Sequence, residues 1–311
     1  MKVVISARNF VFDGCGAVDI LKENGFEIVD ITDKEIKSEE NYLCEIIDAD
    51  AVINAFEPMS RELLEKCEKL KLISVRGVGY DYIDSKACSE LGIAITRTVG
   101  TVGESVSELT MGYILRFARE IEAHNANMQN GKWERIMTEG AFGKMLGIIG
   151  FGEIGQALAK KADAFGMRVI YNCITPKNDQ RFEYCTLDRL LKESDYVVLA
   201  LPLTKETQKL IDENALSKMK NSAVLINVAR AGIVDNDALK RAVLNGEIRG
   251  AAVDVYESEP CCNSILRGVK NVILTPHIAP FTRNNFISMN TLAAENVINY
   301  FGGTLNEKYL A

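Results

Sequence analysis

Residues 146–155, Leu-Gly-Ile-Ile-Gly-Phe-Gly-Glu-Ile-Gly, decide the fold of this chain. The apolar start is typical of a buried strand, and the stretch that follows, 156–165, has the spacing of a helix. A G-x-G-x-x-G between strand and helix is typical of a dinucleotide-binding βαβ unit, although a tight turn without a ligand is the simpler alternative. In the binding interpretation Gly150 allows the tight turn, Gly152 the close approach of a pyrophosphate, and Gly155 close packing of helix on strand. The N–H groups that open the helix would then face the anion.

Apolar runs rich in β-branched residues alternate with charged stretches of helical spacing along the chain. They predict strands at residues 3–5, 26–29, 51–53, 72–75, 93–96, 145–149, 168–171, 196–200, 223–227, 250–253 and 271–274. Between the two series, Glu104 to about Met128 predicts one long helix with an apolar stripe that includes Tyr113. The alternation predicts an α/β fold in which helices cover both faces of parallel sheets. The strands from residue 145 onward number six, as in a Rossmann-type doubly wound sheet, and 311 residues suffice for two domains.

The composition argues against several classes of protein. Hydrophobic residues make up 47% and charged residues 25%, as in ordinary globular proteins, so disorder is not expected. The formal net charge is −7 and the sequence has no dense basic cluster, which argues against nucleic acid as a partner. No apolar run reaches the ~20 residues of a membrane helix, and the N-terminus does not resemble a signal peptide. The eight cysteines are scattered without a C-x-x-C, so we expect reduced thiols, no metal site, no membrane association and a cytoplasmic location.

Three polar side chains, Arg230, Glu259 and His277, each follow one of the last three predicted strands. Because the carboxyl ends of parallel strands share one edge of a sheet, these side chains could converge there. Arginine offers a planar fork of donors to a carboxylate and a carbonyl oxygen, histidine exchanges protons near neutral pH, and a carboxylate can orient the imidazole. Each residue also has a structural alternative: a surface arginine, an acid in an acidic loop where Glu257 competes, and a loop histidine. The other histidine, His124, is expected on an exposed helix surface.

Asn172 bears on the choice of nucleotide cofactor. It ends the strand after the glycine loop, where an acidic residue usually binds the ribose hydroxyls. An asparagine can hydrogen-bond a hydroxyl but carries no charge to repel a 2′-phosphate. No arginine follows directly, and Thr175 and Lys177 are the nearest polar candidates. The sequence therefore predicts NAD and leaves NADP open, because the bidentate arginine that favours a 2′-phosphate is missing.

Beyond these patterns, the chain resembles the D-isomer-specific 2-hydroxyacid dehydrogenases over nearly its whole length. The matching segments are, in this order, 76–84, 143–155, 227–235, 252–255, 259–260 and 275–279. The resemblance implies that Arg230 binds the substrate, that Glu259 pairs with the histidine, and that His277 is the acid/base. It also implies that backbone N–H groups of Val78 and Gly79 hold the substrate carboxylate, and that two chains form a homodimer.

The resemblance further divides the chain into two domains. A smaller flavodoxin-like substrate domain would comprise residues 1–97 and 282–311, and a dinucleotide-binding domain residues 98–281. The expected substrate contacts are Val78, Gly79, Arg230 and His277. The expected cofactor contacts are Gly150, Gly152, Glu153, Ile154, Gly155, Asn172, Pro202, Thr207, Val228, Ala229, Arg230, Asp254, His277 and Ala279.

Three functions are compatible with these observations. The first is an oxidoreductase that transfers a hydride between NAD(P)H and C2 of a 2-oxo acid or D-2-hydroxy acid. The second is an NAD(H)-sensing regulatory protein of the corepressor type on the same fold, against which the complete Arg–Glu–His set argues. The third is a formate- or phosphite-oxidising relative. The motifs do not identify which small 2-oxo acid would be the substrate.

Overall fold

The computed structural model describes residues 1–12, 14–36, 38–177 and 181–311. Its strands are β1 (Lys2–Ile5), β2 (Glu27–Asp30), β3 (Ala51–Asn54), β4 (Leu72–Val75), β5 (Ala94–Arg97), β6 (Met145–Ile149), β7 (Arg168–Asn172), β8 (Glu183–Tyr184), β9 (Tyr196–Leu199), β10 (Val224–Asn227), β11 (Gly250–Val253) and β12 (Val272–Leu274). Its helices are α1 (Ala17–Glu23), α2 (Glu39–Ile46), α3 (Arg61–Lys66), α4 (Ser85–Leu91), α5 (Gly103–Arg119), α6 (Ile121–Gln129), α7 (Glu153–Ala164), α8 (Leu187–Glu193), α9 (Glu213–Ser217), α10 (Asn236–Leu244) and α11 (Arg283–Phe301). Contacts separate a terminal unit, Met1–Val102 with Thr282–Ala311, from a central unit, Gly103–Phe281.

The terminal unit is built on a five-stranded parallel sheet in the order β2-β1-β3-β4-β5. This is the flavodoxin-like strand order. Successive side chains of a strand point to opposite faces, so the unit has two cores. Val52 packs in a cluster with side chains of α2, α3 and α4, whereas Ile53 packs in a cluster with side chains of α1 and α11.

The central unit is built on a seven-stranded parallel sheet in the order β12-β11-β10-β9-β6-β7-β8. The strand order reverses at β6, which is the arrangement of a doubly wound Rossmann-type sheet. The predicted fold class is confirmed. The short β8 extends the predicted six strands by one. The predicted domains are a substrate domain, 1–97 with 282–311, and a dinucleotide-binding domain, 98–281. This division stays a prediction, because it assigns a function to each part.

All eleven predicted strands occur, with ends that differ from the prediction by at most one residue. The single helix predicted from Glu104 to about Met128 is wrong, because the structure divides it into α5 and α6. Glu120, between the two helices, has a left-handed backbone with φ 48°. The guanidinium of Arg249 donates to the carbonyl oxygen of Phe117, 2.8 Å away, and forms an ion pair with Glu120. Arg249 thus provides a hydrogen-bond donor for a carbonyl oxygen near the end of α5, and this long-range contact stabilises the separation of α5 from α6.

Other expectations concern membranes, metals and thiols. None of the described helices is long and apolar enough to cross a bilayer. The described residues contain no group of three or more His, Cys, Asp and Glu side chains suited to holding a metal ion. All eight cysteines are free thiols, of which Cys44, Cys261 and Cys262 are exposed. His124 lies on α6, a helix without a buried residue, and is half-buried rather than exposed as predicted.

Candidate active site

The glycine loop connects the buried strand β6 to α7. Glycine suits each of its three positions for a different structural reason. Gly150 has φ +94°, and a Cβ there would overlap the carbonyl oxygen of Ala200. A Cβ on Gly155 would overlap the carbonyl oxygen of Gly150, so this glycine allows the helix to lie close to the strand end. Gly152 faces open space, with nothing within 4 Å of a Cβ. The loop therefore combines two tightly packed glycines with one that leaves room for a ligand.

The first turn of α7 is suited to an anion. Gly152 occupies the N-cap position, so no side chain at that position caps the start of the helix. The Glu153 carboxylate instead accepts a hydrogen bond from the N–H of Gly103, 2.8 Å away at the start of α5. The backbone of Glu153 and Ile154 is thus placed where a pyrophosphate would meet the positive end of the helix dipole. These features fit a dinucleotide.

Other expected cofactor contacts follow β7 and β9. Asn172, half-buried at the end of β7, donates from Nδ2 to the carbonyl oxygen of Cys185 at 2.8 Å. Its side chain therefore has one fixed hydrogen bond and no charge. In the loop after β9, Thr207 donates from Oγ1 to the carbonyl oxygen of Pro202 at 2.8 Å. The hydrogen bond holds these two expected contacts in one turn.

The turn after β10 carries Val228, Ala229 and Arg230. The buried side chain of Asn227 accepts from the N–H of Ala229 at 3.1 Å and donates to the carbonyl oxygen of Arg230 at 3.0 Å. Val228 and Ala229 are buried, whereas Arg230 is half-buried and donates from Nη1 to the carbonyl oxygen of Ala229. Asn227 thereby fixes the backbone from which the arginine projects.

Glu259 and His277 are hydrogen-bonded to each other in the central unit. Oε2 of Glu259 lies 2.7 Å from Nδ1 of His277, and its Oε1 accepts from the N–H of Tyr256 at 3.0 Å. Burial alone would raise the pKa of Glu259, but its contacts with His277 and Tyr256 and the nearby charge of Arg230 lower that pKa below its usual value. The structure therefore brings together the three residues that follow β10, β11 and β12. Glu257 and Glu259 both lie in an exposed part of this loop, and the hydrogen bond to His277 is made by Glu259.

Asp254 is fully buried and organises the loop that carries His277. Its Oδ1 accepts from Thr275 Oγ1 at 2.6 Å and from the N–H of Ile278 at 2.9 Å, and its Oδ2 accepts from the N–H of Ala279 at 2.9 Å. Burial raises the pKa of the Asp254 carboxyl, against the opposing effect of these three hydrogen bonds. Asp254 therefore anchors the backbone immediately after the histidine.

Val78 and Gly79, the expected substrate contacts outside the central unit, lie in the terminal unit in the loop after β4. Both are half-buried. The loop begins at Arg76, whose N–H donates to the carbonyl oxygen of Asn54 at 2.8 Å and whose guanidinium lies over the ring of Phe286. These contacts fix the start of the loop within its own unit.

The family model for the D-isomer specific 2-hydroxyacid dehydrogenase, NAD binding domain, matches residues 111–279. A glyoxylate reductase of Thermococcus litoralis is 40% identical over 262 residues, which cover 80% of this chain and 79% of that protein. The chain belongs to the D-isomer specific 2-hydroxyacid dehydrogenase family.

Two further members of the family are similar over most of the chain. A hydroxypyruvate reductase of Thermotoga maritima is 40% identical over 237 residues, 74% of this chain and 78% of that protein. The crystal structure of a D-lactate dehydrogenase from Aquifex aeolicus, complexed with NAD and lactic acid, has a TM-score of 0.88 and 30% identity. The alignment of the two structures covers 100% of this chain and 99% of that chain.

Family membership confirms the predicted resemblance and the predicted enzyme class. The chain is an oxidoreductase of the D-2-hydroxyacid dehydrogenase family, with a nicotinamide dinucleotide, NAD or NADP, as its cofactor. The roles of the individual site residues, the preference between NAD and NADP, the homodimer and the cytoplasmic location stay predictions.

Two residues of this dehydrogenase site were not predicted from the sequence. Thr275 precedes the histidine by two positions, and its hydroxyl contacts both Asp254 and the hydroxyl of Tyr113. Tyr113 was expected only as part of the apolar stripe of its helix, and it is indeed buried. The signal that could have indicated it is a phenol among aliphatic side chains, since a buried hydroxyl usually has a hydrogen-bond partner.

Proposed function

We propose that this dehydrogenase interconverts a small 2-oxo acid and the corresponding D-2-hydroxy acid. The observation that carries the proposal is the hydrogen bond of 2.7 Å between Glu259 and His277, formed beside Arg230 at the carboxyl ends of neighbouring strands. A paired imidazole and a guanidinium at one sheet edge are the groups that protonation of a carbonyl oxygen and binding of a carboxylate require.

In this proposal each residue has a defined task. Glu259 holds Nδ1 of His277, so that Nε2 exchanges the proton with the substrate oxygen at C2. The Arg230 guanidinium binds the substrate carboxylate and polarises the carbonyl, because its planar donors match both oxygens. Backbone N–H groups of Val78 and Gly79, in the terminal unit, are proposed as further substrate contacts, as the family resemblance implies.

The glycine loop is proposed to hold the nicotinamide dinucleotide. Gly152 and the first N–H groups of α7, at Glu153 and Ile154, would bind the pyrophosphate, while Gly150 and Gly155 keep the loop in shape. Pro202, Thr207, Val228, Ala229, Asp254 and Ala279 complete the proposed set of cofactor contacts. When bound, the cofactor supplies or accepts the hydride.

We propose NAD as the preferred form of the cofactor. Asn172 can donate or accept a hydrogen bond at the ribose, and no arginine stands directly after it. The neutral side chain also lacks the charge that would exclude a 2′-phosphate, so we expect NADPH to be accepted less well than NADH rather than excluded.

The relatives favour a substrate of two or three carbons. The Thermococcus litoralis and Thermotoga maritima proteins are named for glyoxylate and hydroxypyruvate, and both cover most of this chain. We therefore propose glyoxylate and hydroxypyruvate as the first substrates to test.

A homodimer is the proposed assembly, through residues 121–142. α6 (Ile121–Gln129) contains no buried residue. Beyond it, Trp133, Met137 and Phe142 are 78%, 96% and 84% exposed. Apolar side chains exposed this far are typical of an interface. Light scattering should give the mass of two chains for the wild type and of one chain for Met137→Glu, and a monomeric wild type would contradict the proposal.

The central experiment is a panel of glyoxylate, hydroxypyruvate, pyruvate and phenylpyruvate with NADH and NADPH, for the wild type and His277→Ala. We expect the wild type to reduce at least one small acid, and His277→Ala to lose turnover while it still binds NADH, measured by the fluorescence of the reduced nicotinamide. Turnover that survives in His277→Ala would overturn the role of the histidine. A wild type that binds NADH but reduces none of the acids would favour the regulatory alternative.

A further inference from the structure

The Tyr113 hydroxyl lies at the end of a chain of short hydrogen bonds that leads to the loop of His277. Tyr113 is 4% exposed on α5, and its oxygen lies 2.5 Å from Oγ1 of Thr275. Thr275 Oγ1 lies 2.6 Å from Oδ1 of the buried Asp254. We propose that Tyr113, acting through Thr275 and Asp254, is a positioning residue for His277, an inference that rests on the proposed function.

The direction of these hydrogen bonds follows from the chemistry of the three groups. An ionised carboxylate only accepts hydrogen bonds, and a threonine hydroxyl has one proton to donate. Thr275 Oγ1 therefore donates a hydrogen bond to Asp254. The same oxygen accepts a hydrogen bond from the Tyr113 hydroxyl. Each donation polarises the next, so the phenol strengthens the bond that Thr275 makes to the carboxylate.

The far end of the chain fixes the backbone on both sides of His277. Asp254 accepts from the N–H groups of Ile278 and Ala279, which follow the histidine. The N–H of His277 itself donates to the carbonyl oxygen of Thr275 at 3.0 Å. The histidine thus lies between the two points at which the Thr275–Asp254 pair holds the loop.

His277 needs such support because its backbone has φ 53°, in the left-handed region that side chains other than glycine rarely adopt. A conformation of this kind persists only where the surroundings impose it. If the loop relaxes toward an ordinary backbone conformation, the imidazole moves away from Glu259 and from the position of the substrate oxygen. The hydrogen-bond chain from Tyr113 therefore acts on turnover through the direction of one side chain.

A purely structural role for the Tyr113 hydroxyl is the alternative, and it predicts a different result. A phenylalanine would fill the same apolar volume, and loss of the hydroxyl would then change only the unfolding transition. The positioning role predicts a lower kcat together with a changed pH profile of kcat, because the imidazole that exchanges the proton loses its fixed direction. The KM for NADH does not separate the two roles, since Asp254 and Ala279 are themselves proposed cofactor contacts. A change in kcat therefore supports the positioning role, whereas a change in the unfolding transition alone supports the structural role.

The test compares Tyr113→Phe, Thr275→Val and the double variant with the wild type. We expect Tyr113→Phe to lower kcat about threefold to tenfold, the effect of one lost hydrogen bond, and Thr275→Val to lower it at least as much. Since both variants interrupt the same chain, the double variant should be little worse than Thr275→Val alone. Thr275→Ser keeps the hydroxyl and should restore most of the activity.

Tyr42→Phe is the matched control. The Tyr42 hydroxyl is also buried and lies 2.8 Å from Ser6 Oγ, in the terminal unit. Its removal should lower the unfolding midpoint without changing kcat.

Two results would overturn the inference: Tyr113→Phe with wild-type kcat, or additive effects in the double variant. His277→Ala, measured in parallel, separates this failure from failure of the proposed function. If His277→Ala is inactive and Tyr113→Phe is fully active, only the positioning role is lost.

Discussion

Replacement of Glu259 by glutamine tests the proposed acid–base pair with little change of shape. Oε1 of Glu259 accepts from the N–H of Tyr256, and a glutamine oxygen can keep that bond. The amide nitrogen would then replace Oε2, which lies 2.7 Å from His277 Nδ1. Because an amide N–H₂ only donates, the ring loses its acceptor and must turn or change tautomer.

The expected loss can be estimated from this geometry. A hydrogen bond to a charged group contributes about 1.5–3 kcal/mol. The side chains of His277 and Glu259 are 22% and 29% exposed, so solvent screens part of the interaction, and the lower half of that range applies. About 2 kcal/mol corresponds to a loss of about thirtyfold in kcat/KM.

The assay follows the absorbance of NADH with the preferred 2-oxo acid as the second substrate. Glu257→Gln is the control, since that residue is exposed and lies two positions earlier in the same loop. Circular dichroism verifies that both variants are folded. A kcat/KM for Glu259→Gln within about twofold of the wild type, or an equal loss in Glu257→Gln, would refute the pairing argument.

Three other outcomes are expected. Asn172→Asp should increase the ratio of KM for NADPH to KM for NADH, because a carboxylate repels the 2′-phosphate; an unchanged ratio would show that Asn172 does not face the ribose. Gly152→Ala should fold normally but bind NADH more weakly in a fluorescence titration, whereas Gly155→Ala should lower the unfolding midpoint, because its Cβ would overlap the Gly150 carbonyl. For Asp195, burial is the largest effect and alone would raise the pKa of the carboxyl. The ion pair with Lys220 and a hydrogen bond from the N–H of Met145 nevertheless lower this pKa below its ordinary value of 3.8. The stability this gives is complete above about pH 4 and disappears as pH falls through the lowered pKa, so Asp195→Asn should weaken the acid dependence of urea unfolding.

The sheet elements could be predicted from the sequence because their signals are local. Apolar runs and the turns between them are determined by a few neighbouring residues, and the glycine loop identified both a strand end and a helix start. Arg230, Glu259 and His277 could be placed at one edge because the topology of a parallel sheet brings consecutive strand ends together.

The features that escaped prediction depend on partners far away in sequence. The break between α5 and α6 depends on Arg249, which lies 129 residues beyond Glu120. The polar role of Tyr113 depends on Thr275, 162 residues later. In both cases helical periodicity describes the apolar face correctly but contains no information about which distant polar group will meet it.

The exposed position of Trp133 determines what intrinsic fluorescence can report for this enzyme. It is the single tryptophan of the chain, and it is 78% exposed in one protomer. In a single chain the indole therefore already meets water, and unfolding of a monomer would change its emission little. If the proposed homodimer forms through residues 121–142, the emission should shift to shorter wavelength on concentration, and Trp133 would then be a built-in optical probe of that assembly.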